Sequence, residues 1–199
     1  MDEELMFRIL FTVAFSIFAG IRIYFRSQTL GRESEKEKPL FDRPTVFLSG
    51  VIIAFFVTMF FYILLPDWIF WAHFNIHVFI RWLGVVLGCV GILMLFWVHS
   101  TLGKQYSAKL EIQKEHELIT TGPYKSIRHP MYTVFMTFTI GASLMTANGL
   151  MIILSVLLAI PFHWISRKEE EMLSEQFGEA YQKYMNRTGR FLPPLRRKD

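Results

Sequence analysis

Apolar runs at about 5–25, 45–65, 79–99, 131–147 and 149–165 dominate the chain, and nearly all of its charge lies between them. A bilayer core needs roughly 20 apolar residues per helix, with a lower limit of about 17. The first three runs satisfy that length easily, and the last two are short. Hydrocarbon offers the backbone no hydrogen-bond partners, so runs of this length are expected to be helices. Thr146-Ala147-Asn148-Gly149, between the short runs, reads as a tight turn. The last two runs are thus expected to form a helical hairpin, either crossing as helices 4 and 5 or re-entering as one unit. The fold class is all-α, a polytopic membrane bundle of about five transmembrane helices.

Charge supplies an orientation. Six Lys/Arg lie in 22–43, five in 99–130 and eight in 166–199, so 19 of the 21 basic residues occupy three segments. Five spans place these segments on one side, and basic loops favour the cytoplasm. The expected topology has the N-terminus outside and the C-terminus and long polar segments inside. The net charge of +4 could suggest nucleic acid, but that requires a basic stripe on a folded surface. Here the basic residues punctuate apolar runs, so no nucleic-acid partner is expected. Cys89 is the single cysteine, which excludes an intramolecular disulfide and a cysteine-based zinc site. The start, Met1 to Glu4, is acidic, unlike a cleavable signal peptide.

Two polar segments carry more pattern than a connector needs. The stretch 99–130 is longer than structureless loops usually are. It contains HELITTGPY, with Thr120-Thr121-Gly122-Pro123 as a turn. It ends in Arg128-His129-Pro130, where Pro130 suits the first turn of a helix and His129 its N-cap. After 165, Leu173, Phe177, Tyr181 and Tyr184 recur at helical spacing, which predicts one amphipathic helix leaving the membrane. Arg167, Glu170 or Glu171, and Ser174 share another face of it. His73 and His77 stand four apart without a third ligand in view, so no metal site is expected. His99 and His163 read as polar helix ends. Trp68, Trp71, Trp82, Trp97 and Trp164 lie near span ends, as an interfacial belt would.

HELITTGPYKSIRHPMY, followed by RKEEEMLSEQFGEAYQKYMNRTGRFLP, resembles the isoprenylcysteine carboxyl methyltransferases and the related phospholipid N-methyltransferases. The resemblance covers Gly103 to Pro194, and divides the chain into helices 1–3 (1–102) and a methyltransferase region (103–199). It implies S-adenosylmethionine held outside any Rossmann framework, by cytoplasmic segments. Its residues would be His116, Glu117, Leu118, Ile119, Tyr124, His129, Pro130, Met131 and Tyr132. A carboxylate of the Glu169-Glu170-Glu171 run would join them, with Glu170 and Glu171 favoured. The implied acceptor is lipid-linked, a prenylated cysteine above all, alongside bilayer lipids. Its carboxylate is already ionised near neutral pH and needs a cation to aim it, for which Arg167 is the candidate. An amine acceptor such as phosphatidylethanolamine would instead need a base, for which Glu170 or Glu171 would serve. A sterol-reductase-like nicotinamide enzyme, expected to be longer, and a non-catalytic scaffold are the alternatives of other classes.

Overall fold

The computed structural model describes residues 3–28, 43–102 and 118–194. Its helices are α1 (Glu3–Ser27), α2 (Arg43–Leu64), α3 (Val78–Leu102), α4 (Pro130–Thr146), α5 (Gly149–Leu157), α6 (Ala159–Phe177) and α7 (Glu179–Arg187). Short 3₁₀ turns occupy Pro66–Ala72 and Gly122–Lys125. Among the described residues β structure is limited to two isolated bridges.

Among the described residues four helices are long and apolar enough to cross a membrane: Glu3–Ser27, Thr45–Leu64, Val78–Leu102 and Gly149–Phe177, which joins α5 to α6. With 17 residues, α4 is about 25 Å long at 1.5 Å per residue, short of the roughly 30 Å hydrocarbon core. The bundle thus has four full-length candidates and one shorter helix where about five spans were expected. Pro161 explains the interruption between α5 and α6. Lacking an N–H, it cannot bond the Leu157 carbonyl one turn earlier. Bonds from Leu158 N–H to Leu154 and from Phe162 N–H to Leu158 carry the chain across the break.

Phe7, Phe11 and Phe18 are the buried face of α1, while Ile9, Val13, Ile17 and Ile23 of the same helix are exposed. An apolar residue on the outside of such a helix faces lipid rather than water. All five tryptophans are also exposed. Trp68 and Trp71 sit in the 3₁₀ turn after α2, where an interfacial belt requires them.

The tightest contact in the bundle is between α3 and α4. A methyl group added at Gly84 would lie 2.5 Å from the Met145 nitrogen, and one at Gly141 would lie 2.7 Å from the Gly88 nitrogen. Backbone therefore meets backbone, as small residues allow in membrane helix pairs. The shorter α4 is held in the bundle by this contact. Its C-terminal end carries the predicted turn. Ala147 is left-handed with φ 49°, and the Asn148 side chain accepts from Met151 N–H at 3.1 Å to cap α5.

That end of the bundle is closed by Arg81, only 5% exposed despite its charge. Its guanidinium pairs with Glu4 at 2.8 Å, donates to the Met145 carbonyl at 3.0 Å and lies 4.0 Å from the Phe7 ring centre. Tyr62 donates to Glu4 at 2.9 Å. One cation thus ties the starts of α1 and α3 to the ends of α2 and α4. Removing one partner of a fully buried pair costs about 3–5 kcal/mol. Glu4 is partly exposed, so Glu4→Gln is expected to cost less, about 2 kcal/mol. A thermal unfolding series in detergent reads this directly, and an unchanged midpoint would remove Arg81 from the role of clasp.

The single amphipathic helix expected after residue 165 is in fact two. Gly178 adopts φ 53° and ψ −126°, a conformation open to glycine and strained for other residues. It ends α6 and redirects α7, so that Tyr181 and Tyr184 are buried while Leu173 and Phe177 are only half-buried. The helical period survived in the sequence because each half keeps it, but the glycine rotates one half against the other.

Candidate active site

His129 caps α4 and Pro130 occupies its first turn, so the chain enters the helix without wasting an N–H. The His129 side chain makes no capping bond. It turns instead toward α6, where Nδ1 lies 3.0 Å from Glu169 Oε2 and Nε2 lies 3.2 Å from Glu170 Oε1. Both ring nitrogens face carboxylate oxygens, and both can donate only in the imidazolium form. Burial opposes this charge, but the hydrogen bonds and charges of Glu169 and Glu170 outweigh it and raise the His129 pKa above its ordinary value.

Glu170 is the centre of the cluster. Arg128 Nε donates to its Oε1 at 2.8 Å, Arg190 Nε donates to the same oxygen at 3.1 Å, and Arg190 Nη2 donates to Oε2. With His129 these donors use the carboxylate's accepting capacity of about four sites. Glu169, one residue earlier, is less enclosed and accepts from the Tyr132 hydroxyl at 2.8 Å. The Tyr132 ring stacks on Phe162 at 4.7 Å, and Phe162 is also 6.2 Å from Phe135. Tyr132 therefore stands on the boundary, with its hydroxyl in an ionic cluster and its ring on an aromatic floor.

The chain beyond α7 completes the site. Gly189 and Ser126 are bonded through the Gly189 N–H, Arg128 and His129 N–H groups donate to the Gly189 and Arg190 carbonyls, and Thr133 Oγ1 donates to the Phe191 carbonyl at 2.6 Å. Arg128 Nη1 donates to the Met185 and Thr188 carbonyls. The Tyr184 hydroxyl donates to the Tyr124 carbonyl at 2.7 Å, and burial pushes its pKa up to about 12. The residues after α7 thus form a strap across the entrance to α4 and deliver Arg190 to Glu170.

Of the residues named from the sequence, Tyr124, His129, Pro130, Tyr132 and Glu170 come together here. Leu118 and Ile119 are half-buried just before the Gly122–Lys125 turn. His116 and Glu117 lie outside the described residues. Met131 packs beside Val134, Leu95 and Phe138 in the apolar core. Glu171 and Arg167 are exposed and stand apart from the cluster. Arg190 and Phe191 were missed by sequence reasoning. Their only signal was the Gly-Arg-Phe-Leu-Pro ending of the second motif. His99 does lie in the last turn of α3, but it is fully buried and stacks on Phe25 at 4.8 Å. Among the described residues no group of three or more His, Cys, Asp or Glu could hold a metal ion.

The raised His129 pKa has a consequence for stability. Its unfolded value is about 6.5. A group whose folded value is higher contributes fully below the unfolded value and loses that contribution as pH rises through the folded value. The stability advantage of the native protein over His129→Gln is therefore expected to be largest below pH 6.5 and to shrink on the alkaline side. Paired thermal scans across pH test this, and a constant difference would exclude an imidazolium.

Comparison with known proteins places these residues in context. The model of the isoprenylcysteine carboxyl methyltransferase (ICMT) family matches residues 82–175. The chain is 34% identical over 116 residues to the nickel-cobalt-cadmium resistance protein NccN of Alcaligenes xylosoxydans xylosoxydans, covering 57% of this chain and 53% of that protein. It is 28% identical over 120 residues to an Oryza sativa protein named "Probable protein-S-isoprenylcysteine O-methyltransferase", covering 58% of this chain and 62% of that one. The solved structure of the eukaryotic intramembrane Ras methyltransferase ICMT matches 92% of this chain and 62% of its own, with a TM-score of 0.55 at 22% identity, which shows a shared fold. The matches thus span 53–62% of the length of these relatives. The motifs, the membrane helices and these similarities agree: residues 82–175 match the isoprenylcysteine carboxyl methyltransferase family model, and the chain shares the fold of the solved methyltransferase.

Proposed function

We propose that this protein is an integral-membrane methyltransferase that uses S-adenosylmethionine to methylate a lipophilic carboxylate, most simply that of a C-terminal prenylated cysteine. The observation that carries this reading is the position of Tyr132, whose hydroxyl binds Glu169 while its ring stacks on Phe162. A water-borne methyl donor and a membrane-held acceptor need such a boundary. Residues 103–199 would carry the chemistry, and 1–102 would supply bilayer helices. The clustering of basic residues in three segments supports a topology with this end of the bundle on the cytoplasmic side and the N-terminus outside.

The residues present fit the cofactor. Glu170 is committed to Arg128 and Arg190, and Glu171 is exposed, so Glu169 is the carboxylate suited to the cofactor's ammonium or ribose hydroxyls. Arg128, Arg190 and the His129 imidazolium outnumber Glu169 and Glu170 by one charge, which suits a carboxylate near the start of α4. Tyr132 is stacked on both Phe162 and His129, so the Tyr124 ring is the aromatic candidate for contacting a sulfonium, an attraction of roughly 0.5–2 kcal/mol. The buried Tyr181 hydroxyl has no hydrogen-bond partner among the described residues and leaves a donor to be used in the same region. Leu118 and Ile119 precede the Gly122–Lys125 turn and would join the cofactor's contacts, with Pro130 and Met131 setting the helix start; His116 and Glu117 are proposed contacts on the motif alone.

When bound, the cofactor supplies an electrophilic methyl group on sulfur. A carboxylate acceptor needs no base, so the chain's work is to orient, to exclude water and to place charge. Arg167, exposed beside the acidic run, is the cation we assign to meeting the acceptor's carboxylate. Arg167→Ala is expected to raise KM for the acceptor about tenfold, the order of one lost charged contact, with the affinity for S-adenosylhomocysteine unchanged. An equal loss of cofactor affinity would contradict that assignment.

Radiolabelled methyl transfer by the purified protein tests the function itself. Transfer to N-acetyl-S-farnesylcysteine as a base-labile ester is expected. Base-stable transfer to phosphatidylethanolamine would assign amine methylation instead. Binding of NADPH without any methyl transfer would move the protein to reductase chemistry.

A further inference from the structure

One stripe of side chains on α7 points inward. Tyr181, Tyr184 and Thr188, at spacings of three and four, are buried, while Gln182, Lys183, Asn186 and Arg187 between them are exposed. Each of the three carries a hydroxyl, and two of these are spent inside the protein. Thr188 Oγ1 donates to the Tyr184 carbonyl at 2.6 Å, and the Tyr184 hydroxyl donates to the Tyr124 carbonyl at 2.7 Å. The Tyr181 hydroxyl is different. Its residue is 1% exposed, and the oxygen has no hydrogen-bond partner among the described residues. Folded proteins rarely leave such a group unpaired, because nothing replaces its lost hydration. A phenylalanine at 181 would fill nearly the same space without that cost, so packing alone does not account for the hydroxyl.

The surroundings of Tyr181 limit what its hydroxyl can meet. Its ring lies 5.8 Å from that of Tyr184. Arg128, bound to Glu170, also donates to the carbonyls of Met185 and Thr188 at the end of the same helix. Tyr181 therefore stands beside the ionic cluster, within reach of the charges of Glu170, Arg128 and Glu169. Burial and the Glu170 charge raise its pKa above the ordinary phenol value, so the oxygen keeps its proton and remains a donor. The carboxylates of the cluster hold donors of their own, Glu170 from Arg128, Arg190 and His129, and Glu169 from Tyr132 and His129. An ionised oxygen is the strongest acceptor for a neutral O–H. The one surplus positive charge of the cluster favours such an oxygen on a molecule that joins it.

We propose that the Tyr181 hydroxyl donates to the α-carboxylate of the bound cofactor, which makes α7 part of the cofactor site. The assignment rests on the S-adenosylmethionine reading above and divides the cofactor's amino-acid end between two residues. Glu169 takes the ammonium and Tyr181 the carboxylate. Gly178, with nothing within 4 Å of an added methyl group, gives the α6–α7 junction room to admit the ligand. The bond then forms where water is excluded and a hydrogen bond is strong. Tyr181 thus lowers the stability of the free protein and raises its affinity for the cofactor.

The test separates stability from binding. The thermal midpoint of the purified full-length protein is measured without ligand. Calorimetry then gives the affinity for S-adenosylhomocysteine and for its decarboxylated analogue, which keeps the nucleoside, the sulfur and the amine. Tyr181→Phe is expected to melt at or above the native protein and to bind S-adenosylhomocysteine about tenfold more weakly. Its affinity for the analogue should equal that of the native protein. Tyr184→Phe, which loses a bond that the free protein makes, is expected to melt lower and supplies the contrast. A Tyr181→Phe protein that melts below the native one would mean that the hydroxyl already has a partner, and the assignment falls. Unchanged affinity for S-adenosylhomocysteine, or an equal loss for the analogue, also overturns it while the methyltransferase reading stands. If the native protein binds neither ligand, the S-adenosylmethionine reading fails and this assignment with it.

Discussion

Glu170→Gln is expected to cost roughly 3–5 kcal/mol of stability, because it leaves Arg128, Arg190 and His129 facing one another without their shared counter-charge. Glu170 is 7% exposed and collects donors from all three, so water cannot replace what the carboxylate supplied. The loss is not confined to one helix. Arg128 also holds the carbonyls of Met185 and Thr188, and Arg190 belongs to the strap whose backbone pairs with residues 126–129. Releasing Glu170 therefore loosens the entrance of α4, the end of α7 and the strap together. Methyl transfer is expected to fall at least 100-fold, about 2.7 kcal/mol in the transition state, because Tyr132 and Glu169 would lose their fixed register. Glu170→Asp keeps the charge on a shorter arm and should recover part of the stability but less of the activity. Thermal unfolding and single-turnover transfer measured on the same samples decide the matter. A Gln variant that melts with the native protein would show that the cluster does not hold the site together.

Gly84→Ala and Gly141→Ala are expected to be as damaging, for a steric reason. In each case the new methyl group meets backbone atoms, at 2.5 Å and 2.7 Å, and no flexible side chain can move aside. Overpacking usually costs about 1–3 kcal/mol, and helices that must separate bodily belong at or above the top of that range. Displacing α4 from α3 also shifts Pro130 and Tyr132 at its other end, so activity should fall with stability. Gly20 and Gly50 have nothing within 4 Å of an added methyl group, and their alanine variants should lie within about 0.5 kcal/mol of the native protein. If all four substitutions behave alike, the close α3–α4 contact is not what holds the short helix in place.

The legible parts of this protein are those decided by neighbouring residues. Thr146-Ala147-Asn148-Gly149 reads as a turn because an asparagine before an apolar run caps a helix, and Asn148 does so. His129-Pro130 reads as a helix start because proline loses nothing there, and α4 begins at Pro130. The α6–α7 bend was less legible. Gly178 interrupts a period that remains regular on both sides, so a count of spacings passes through it. The register of the acidic run was beyond local reading altogether. Three consecutive glutamates point in three directions, and only the position of α4 tells which meets Tyr132 and which meets the arginines.

Length and hydropathy were enough to determine a helical membrane protein, because hydrocarbon leaves the backbone few alternatives. The motif order was enough to indicate the resemblance to the family whose model matches residues 82–175. What the tertiary structure alone decided is which charges meet. Arg128 and Glu170 are 42 residues apart in the chain and Arg190 another 20 beyond Glu170, and Arg22 reaches Phe135 from a different helix. Such contacts depend on how α1, α4 and α6 pack, and that packing is set by glycines, rings and a buried arginine acting over the whole bundle rather than by any local pattern.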